Sequence, residues 1–156
     1  MEYLKEMILT ALISMVPVIE LRGGVPFGLA AGLDEKTALL SAVIGNLIVV
    51  PFVIIFARTL LRWLGSKSEW LRHWAERYEK KAREHAKKIE KYELLGLYIL
   101  VAIPLPGTGA WTGSVVAALL NLRVKKAFPV IALGVITAGL LMTFLSLSVI
   151  HVAGSI

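Results

Sequence analysis

The chain has no cysteine, which excludes disulfides and thiolate metal sites. It has three histidines, and none of them stands in a spacing that resembles a metal set. No glycine loop precedes a Lys-Ser/Thr pair, and no Gly-x-Ser-x-Gly is present, so the common nucleotide-binding and hydrolase signatures are missing. Nothing in the sequence calls for a cofactor, and an enzymatic role is not expected. Charge is also scarce over long stretches. Neither Thr37–Ala57 nor Leu94–Leu122 contains a single Asp, Glu, Lys or Arg.

Hydrophobic residues make up 57% of the 156, and mean hydropathy is +0.75, values that exclude an ordinary soluble domain. The run Thr37–Ala57 is long enough to cross a hydrocarbon layer about 30 Å thick. The sequence is expected to be an all-α integral membrane protein with the bilayer as its partner. A cleaved signal peptide is the alternative for the first segment, but Glu20 and Arg22 interrupt it and further membrane sequence follows.

The net charge of +6 is concentrated in one place: Arg58 to Glu93 carry 11 Lys/Arg and 6 Asp/Glu. Beside membrane spans, this excess predicts retention of residues 58–93 on the cytoplasmic side of the cell membrane and not nucleic-acid binding. Arg123, Lys125 and Lys126 belong on that side too. A single crossing by Leu94–Leu122 would separate the two basic clusters, whereas an enter-and-return path keeps them together. The centre of that run, Ile103-Pro104-Leu105-Pro106-Gly107-Thr108-Gly109-Ala110-Trp111-Thr112-Gly113, breaks helical hydrogen bonding where a span would need it. Arms of roughly ten to twelve residues reach about 15–18 Å, half the layer. A re-entrant hairpin is expected there.

The first third repeats the pattern, with Met7–Val16 apolar, a break over Pro17–Pro26, and Phe27–Leu33 apolar again. A shift of 89 positions pairs Pro17 with Pro106, Gly24 with Gly113, Leu33 with Leu122, Lys36 with Lys125, Ala38 with Ala127 and Gly45 with Gly134. The fold expectation is an inverted repeat of re-entrant helical hairpin plus transmembrane helix. Repeat 1 covers residues 7–57, a cytoplasmic basic helix covers 66–93, and repeat 2 covers 94–150. In that insert, Leu71, Ala75, Tyr78, Ala82, His85, Ile89 and Tyr92 recur at spacings of four and three. They suit either a partner helix or, as favoured here, the membrane surface. So little protein around so much irregular backbone suggests a homo-oligomer, most simply a dimer. Ala132, Gly134, Ala138 and Gly139 would permit close packing between copies, or else accommodate the hairpins within one subunit.

Glu20 and Arg22 are the ionisable pair inside an apolar stretch, and such residues are functional candidates. Arg22 can hold an anionic group through its planar fork, with Gly23 and Gly24 beside it. Glu20 is the candidate proton carrier. The alternative is a salt bridge that merely seats the loop. In the second break Pro106, Gly107 and Gly109 precede a half-helix whose free N–H groups would form an anion site, and Thr108 and Thr112 add hydroxyls. Asn46, inside the first span, either contacts a hairpin or simply satisfies backbone.

Glu20-Leu21-Arg22-Gly23-Gly24-Val25-Pro26 and Pro104-Leu105-Pro106-Gly107-Thr108-Gly109-Ala110-Trp111-Thr112-Gly113 resemble the two signatures of the small multidrug export protein family, over essentially the whole chain. More distantly, the layout resembles the DedA superfamily, whose opposed re-entrant hairpins are implicated in moving lipid-linked phosphates. DedA proteins place an arginine in the second hairpin, and the second hairpin here is uncharged. The resemblance implies a small secondary transporter. Read with the residues above, it points to proton-coupled movement of an anionic amphiphile between leaflets, with a lipophilic cation exporter and a non-transporting scaffold or scramblase as alternatives.

Overall fold

A computed structural model describes residues 2–67, 73, 86–105 and 107–153, and every element among them is helical. The order is α1 (Glu2–Met15), α2 (Glu20–Ala30), α3 (Glu35–Lys67), α4 (Ala86–Ala102), α5 (Ala110–Leu119) and α6 (Val124–Ala153). Two helices are long and apolar enough to cross a membrane, over Glu35–Trp63 and Val124–Val152. The surface agrees with a bilayer environment. Phe52, Phe56, Leu140, Phe144 and Val149 face outward, while the centre is filled by small residues such as Ala38, Ala42, Ala117, Ala127 and Ala138. Water would not tolerate so continuous an apolar exterior. The described residues form an all-helical membrane protein.

Close packing explains the small residues. A methyl group on Gly45 of α3 would fall on the Ala11 backbone of α1, and one on Gly134 of α6 would lie 2.7 Å from Val101 Cβ of α4. Gly28 of α2 admits Thr10 and Ala38, each 3.0 Å from where its Cβ would be. Gly139 admits Leu39 and Val43 of α3. Gly134, Ala138 and Gly139 are therefore buried inside the chain, and they no longer argue for a contact between copies.

The break in the first hairpin is shorter than the sequence suggested. Residues 20–26 are helical in spite of Gly23, Gly24 and Pro26, and the chain turns within residues 16–19. Packing overrides the weak helix propensity, because only a glycine at position 24 lets α2 lie against Ser14 and the Thr10 carbonyl of α1. The first span also continues past Ala57 and through Gly65 to Lys67, where a new helix was expected. The heptad positions Leu71, Ala75, Tyr78, Ala82 and His85 lie outside the described residues, as does Pro106.

The two halves share a register finer than the sequence identities. Among the described residues, six take a left-handed backbone: Val18, Glu20, Gly32, Gly107, Gly109 and Asn121. They form three pairs, each 89 apart: 18 with 107, 20 with 109, and 32 with 121. At the third pair both helices end in the same Schellman closure. Leu33 N–H donates to the Gly28 carbonyl and Leu122 N–H to the Ala117 carbonyl.

Candidate functional site

The two hairpin turns meet. Glu20, only 3% exposed, begins α2 and reaches across to the start of α5. Its Oε1 accepts the Trp111 N–H at 2.9 Å, and the Ala110 N–H also bonds the carboxylate. These are N–H groups of the first turn, which have no partner within the helix, and they carry the positive end of its dipole. Glu20 is thus the cap that α5 lacks locally, since Gly109 at its N-cap has no side chain. Gly109 is required for this approach. A methyl there would collide with the Glu20 carboxylate, and its φ of +121° lies outside what other residues adopt readily.

Arg22 acts on the other side of the break. Its Nη1 donates to the Leu105 carbonyl, and its Nη2 donates to Thr108 Oγ1 at 2.6 Å. Thr108 Oγ1 lies 2.8 Å from both the Ile103 and Leu105 carbonyls, to which it donates. The positive guanidinium therefore sits on the loop between α4 and α5, and the negative carboxylate sits where α5 begins. That carboxylate meets the positive end of the α5 dipole. Trp111 adds a third tie, with its Nε1–H donating to the Met15 carbonyl at 3.2 Å.

Of the residues singled out from the sequence, the structure brings together Glu20, Arg22, Thr108 and Gly109. Gly107 and Thr112 support them, because Thr112 Oγ1 donates to the Gly107 carbonyl at 2.9 Å and closes the turn. Gly23 and Gly24 do not join them: Gly23 faces Ile19, and Gly24 faces α1. The α5 amino end, expected to be open to an anion, already holds the Glu20 carboxylate. Trp111 was not singled out, although its place one residue into the half-helix was the available signal.

Asn46 satisfies no backbone: it is fully buried, and both its amide nitrogen and its oxygen lack partners. Gly28 lies beside Ala38. Glu20 and Asn46 are equally far from that contact along oppositely running helices, about 12 Å of rise in each case. The orphan amide therefore sits at the height of the Glu20 carboxylate, on the α3 face between Ala38, which meets α2, and Val43, which meets α6.

This geometry defines a helical membrane protein in which two broken helical segments are locked by a carboxylate and a guanidinium. The family model described as "Putative small multi-drug export protein" matches residues 20–141, most of the chain, from Glu20 at the start of α2 and across the second turn. The chain belongs to that family, whose name denotes a transporter. No curated protein and no solved structure matches the chain.

Proposed function

We propose that the protein is a small secondary transporter that moves an anionic amphiphile, such as a lipid-linked phosphate, between leaflets with proton coupling through Glu20. One observation carries this reading: the α5 amino end already binds an anion, the protein's own Glu20 carboxylate. Protonating Glu20 removes that negative charge and leaves the Ala110 and Trp111 N–H groups for the acid group of a substrate. Arg22, held by Leu105 and Thr108, lies two residues away to join it. When the substrate leaves, Glu20 loses its proton and reoccupies the helix end. Asn46, at the same height with an unpartnered amide, supplies neutral hydrogen bonding to the substrate.

In this reading α1–α2 and α4–α5 are re-entrant hairpins that enter from opposite faces, and each half of the chain is one unit of an inverted repeat. The pairing of the left-handed residues at a constant offset of 89 supports it, and so do two halves of matching helix order. Residues 58–93 face the cytoplasm by their positive charge. We retain a homodimer as the working assembly.

Liposome flux tests the proposal. With the full chain in phosphatidylcholine vesicles, an imposed pH gradient should drive flip of a fluorescent phosphate-bearing lipid. Glu20→Gln should abolish the dependence on the gradient, and Arg22→Ala should abolish flux. Uptake of a quaternary amine without lipid flux would instead favour cation export, with Glu20 as counter-charge. Lipid flux that ignores the gradient in the wild type would make the protein a scramblase, and no flux of either substrate would make it a scaffold.

A further inference from the structure

At the far end of α3 from Glu35, Arg58 is only partly exposed, and its Nε and Nη2 are buried without hydrogen-bond partners. These two nitrogens are not an arbitrary pair. They form one edge of the guanidinium, the edge whose parallel N–H groups grip two oxygens of a phosphate or carboxylate. Among the described residues the charged neighbour acting on Arg58 is Arg62, one helical turn on, and it repels. A desolvated cation beside a like charge is costly unless an anion meets it.

More positive charge gathers at the same height. Val43 of α3 lies beside Gly139 of α6, and the positive-inside rule assigns the basic ends at Arg58 and Arg123 to one side of the membrane, which has the two helices running in opposite directions. From that contact Arg58 lies about four helical turns along α3, and Arg123, just before α6, lies about four turns back. Arg62, Arg123 and Lys125 are exposed around this end, and the first turn of α6 presents its N–H groups there. No acidic side chain among the described residues bonds Arg58.

We propose that the Nε/Nη2 edge of Arg58 holds a phosphate group, with Arg62 and the start of α6 as flanking positive charge. The ligand class is a phosphate-bearing anion, either the headgroup of an anionic lipid or a free phosphate. This site is separate from the Glu20–Arg22 turn and does not depend on the transport reading.

The test uses the purified full chain. In one arm it is placed in phosphatidylcholine nanodiscs with and without phosphatidylglycerol, and retained lipid is counted by native mass spectrometry. In the other it is kept in detergent and titrated with inorganic phosphate against chloride at equal ionic strength, with thermal midpoint as readout. Wild type should retain phosphatidylglycerol selectively, or be stabilised by inorganic phosphate, and which of these occurs identifies the source. Arg58→Gln should lower that affinity roughly ten- to hundredfold, the range for losing hydrogen bonds to a charged group. Arg58→Lys keeps the charge and the fold but cannot offer the edge, so it should also fall by about tenfold. Arg123→Gln should change it by less than about threefold, as a screened surface charge does. Three results overturn the proposal: no phosphate or phosphatidylglycerol preference in wild type, unchanged retention in Arg58→Gln, or full retention in Arg58→Lys.

Discussion

Replacing Gly109 and Gly107 separately by alanine isolates the contact on which the site is built. Both glycines have left-handed backbones, at +121° and +82°. A methyl on Gly107 meets nothing within 4 Å, whereas one on Gly109 lands on the Glu20 carboxylate. Gly107→Ala should therefore cost the backbone term alone, about 1–2 kcal/mol. Gly109→Ala meets a glycine-only conformation, about 1–3 kcal/mol, and displaces a charge-assisted bond worth about 1.5–3 kcal/mol, for roughly 2.5–6 kcal/mol in all. In a Glu20→Ala background the methyl has nothing to displace, so the cycle should give a coupling of about 1.5–3 kcal/mol. Reversible unfolding in mixed micelles by titration with dodecyl sulfate provides the readout. Equal costs for the two glycines, or a coupling under about 0.5 kcal/mol, would refute the claim that Glu20 caps α5.

Asn46→Leu should raise unfolding stability in the same assay by about 1–3 kcal/mol while weakening transport, because it removes two buried unpartnered groups that the substrate would use. Gly45→Val should lower stability by roughly 2–4 kcal/mol and separate α1 from α3, since even one methyl meets the Ala11 backbone. At the Glu35 end of α3, the Thr37 hydroxyl, then the Tyr3 hydroxyl and the Thr37 N–H, hold the Asp34 carboxyl below its usual 3.8. A lowered folded value gives stability that is present above the unfolded value and is lost as pH falls through the folded one. Tyr3→Phe should shrink that acid-side loss in a melting series taken below about pH 4.

Where chemistry is local, the fold was legible in the sequence. Proline and glycine at 104–109 and proline at 17 forced the breaks, and the uncharged run after Thr37 announced a span. What distant residues decide was not legible. Glycines at 23 and 24 look like loop, yet the surface of α1 makes residue 24 a helix contact. Hydropathy cannot register that α3 continues to Lys67, because a helix persists where apolar residues give way to charged ones. The register of the halves was only faintly visible, since the left-handed positions hold Val18, Glu20 and Asn121 on one side and Gly107, Gly109 and Gly32 on the other. Backbone geometry matches there while residue identity does not. That Glu20 caps a helix from the other half of the chain has no local signature at all.

The absence of cysteine makes site-directed spin labelling clean, and depth measurement is the most direct test. Labels at Val18 and Leu105, exposed residues in the two turns, should both report the middle of the bilayer by oxygen and nickel-chelate accessibility. Labels at Lys5 and Lys91, in the first arms of the two hairpins, should report opposite headgroup layers. Either turn found at headgroup depth would contradict the central claim that two half-deep hairpins meet within the membrane.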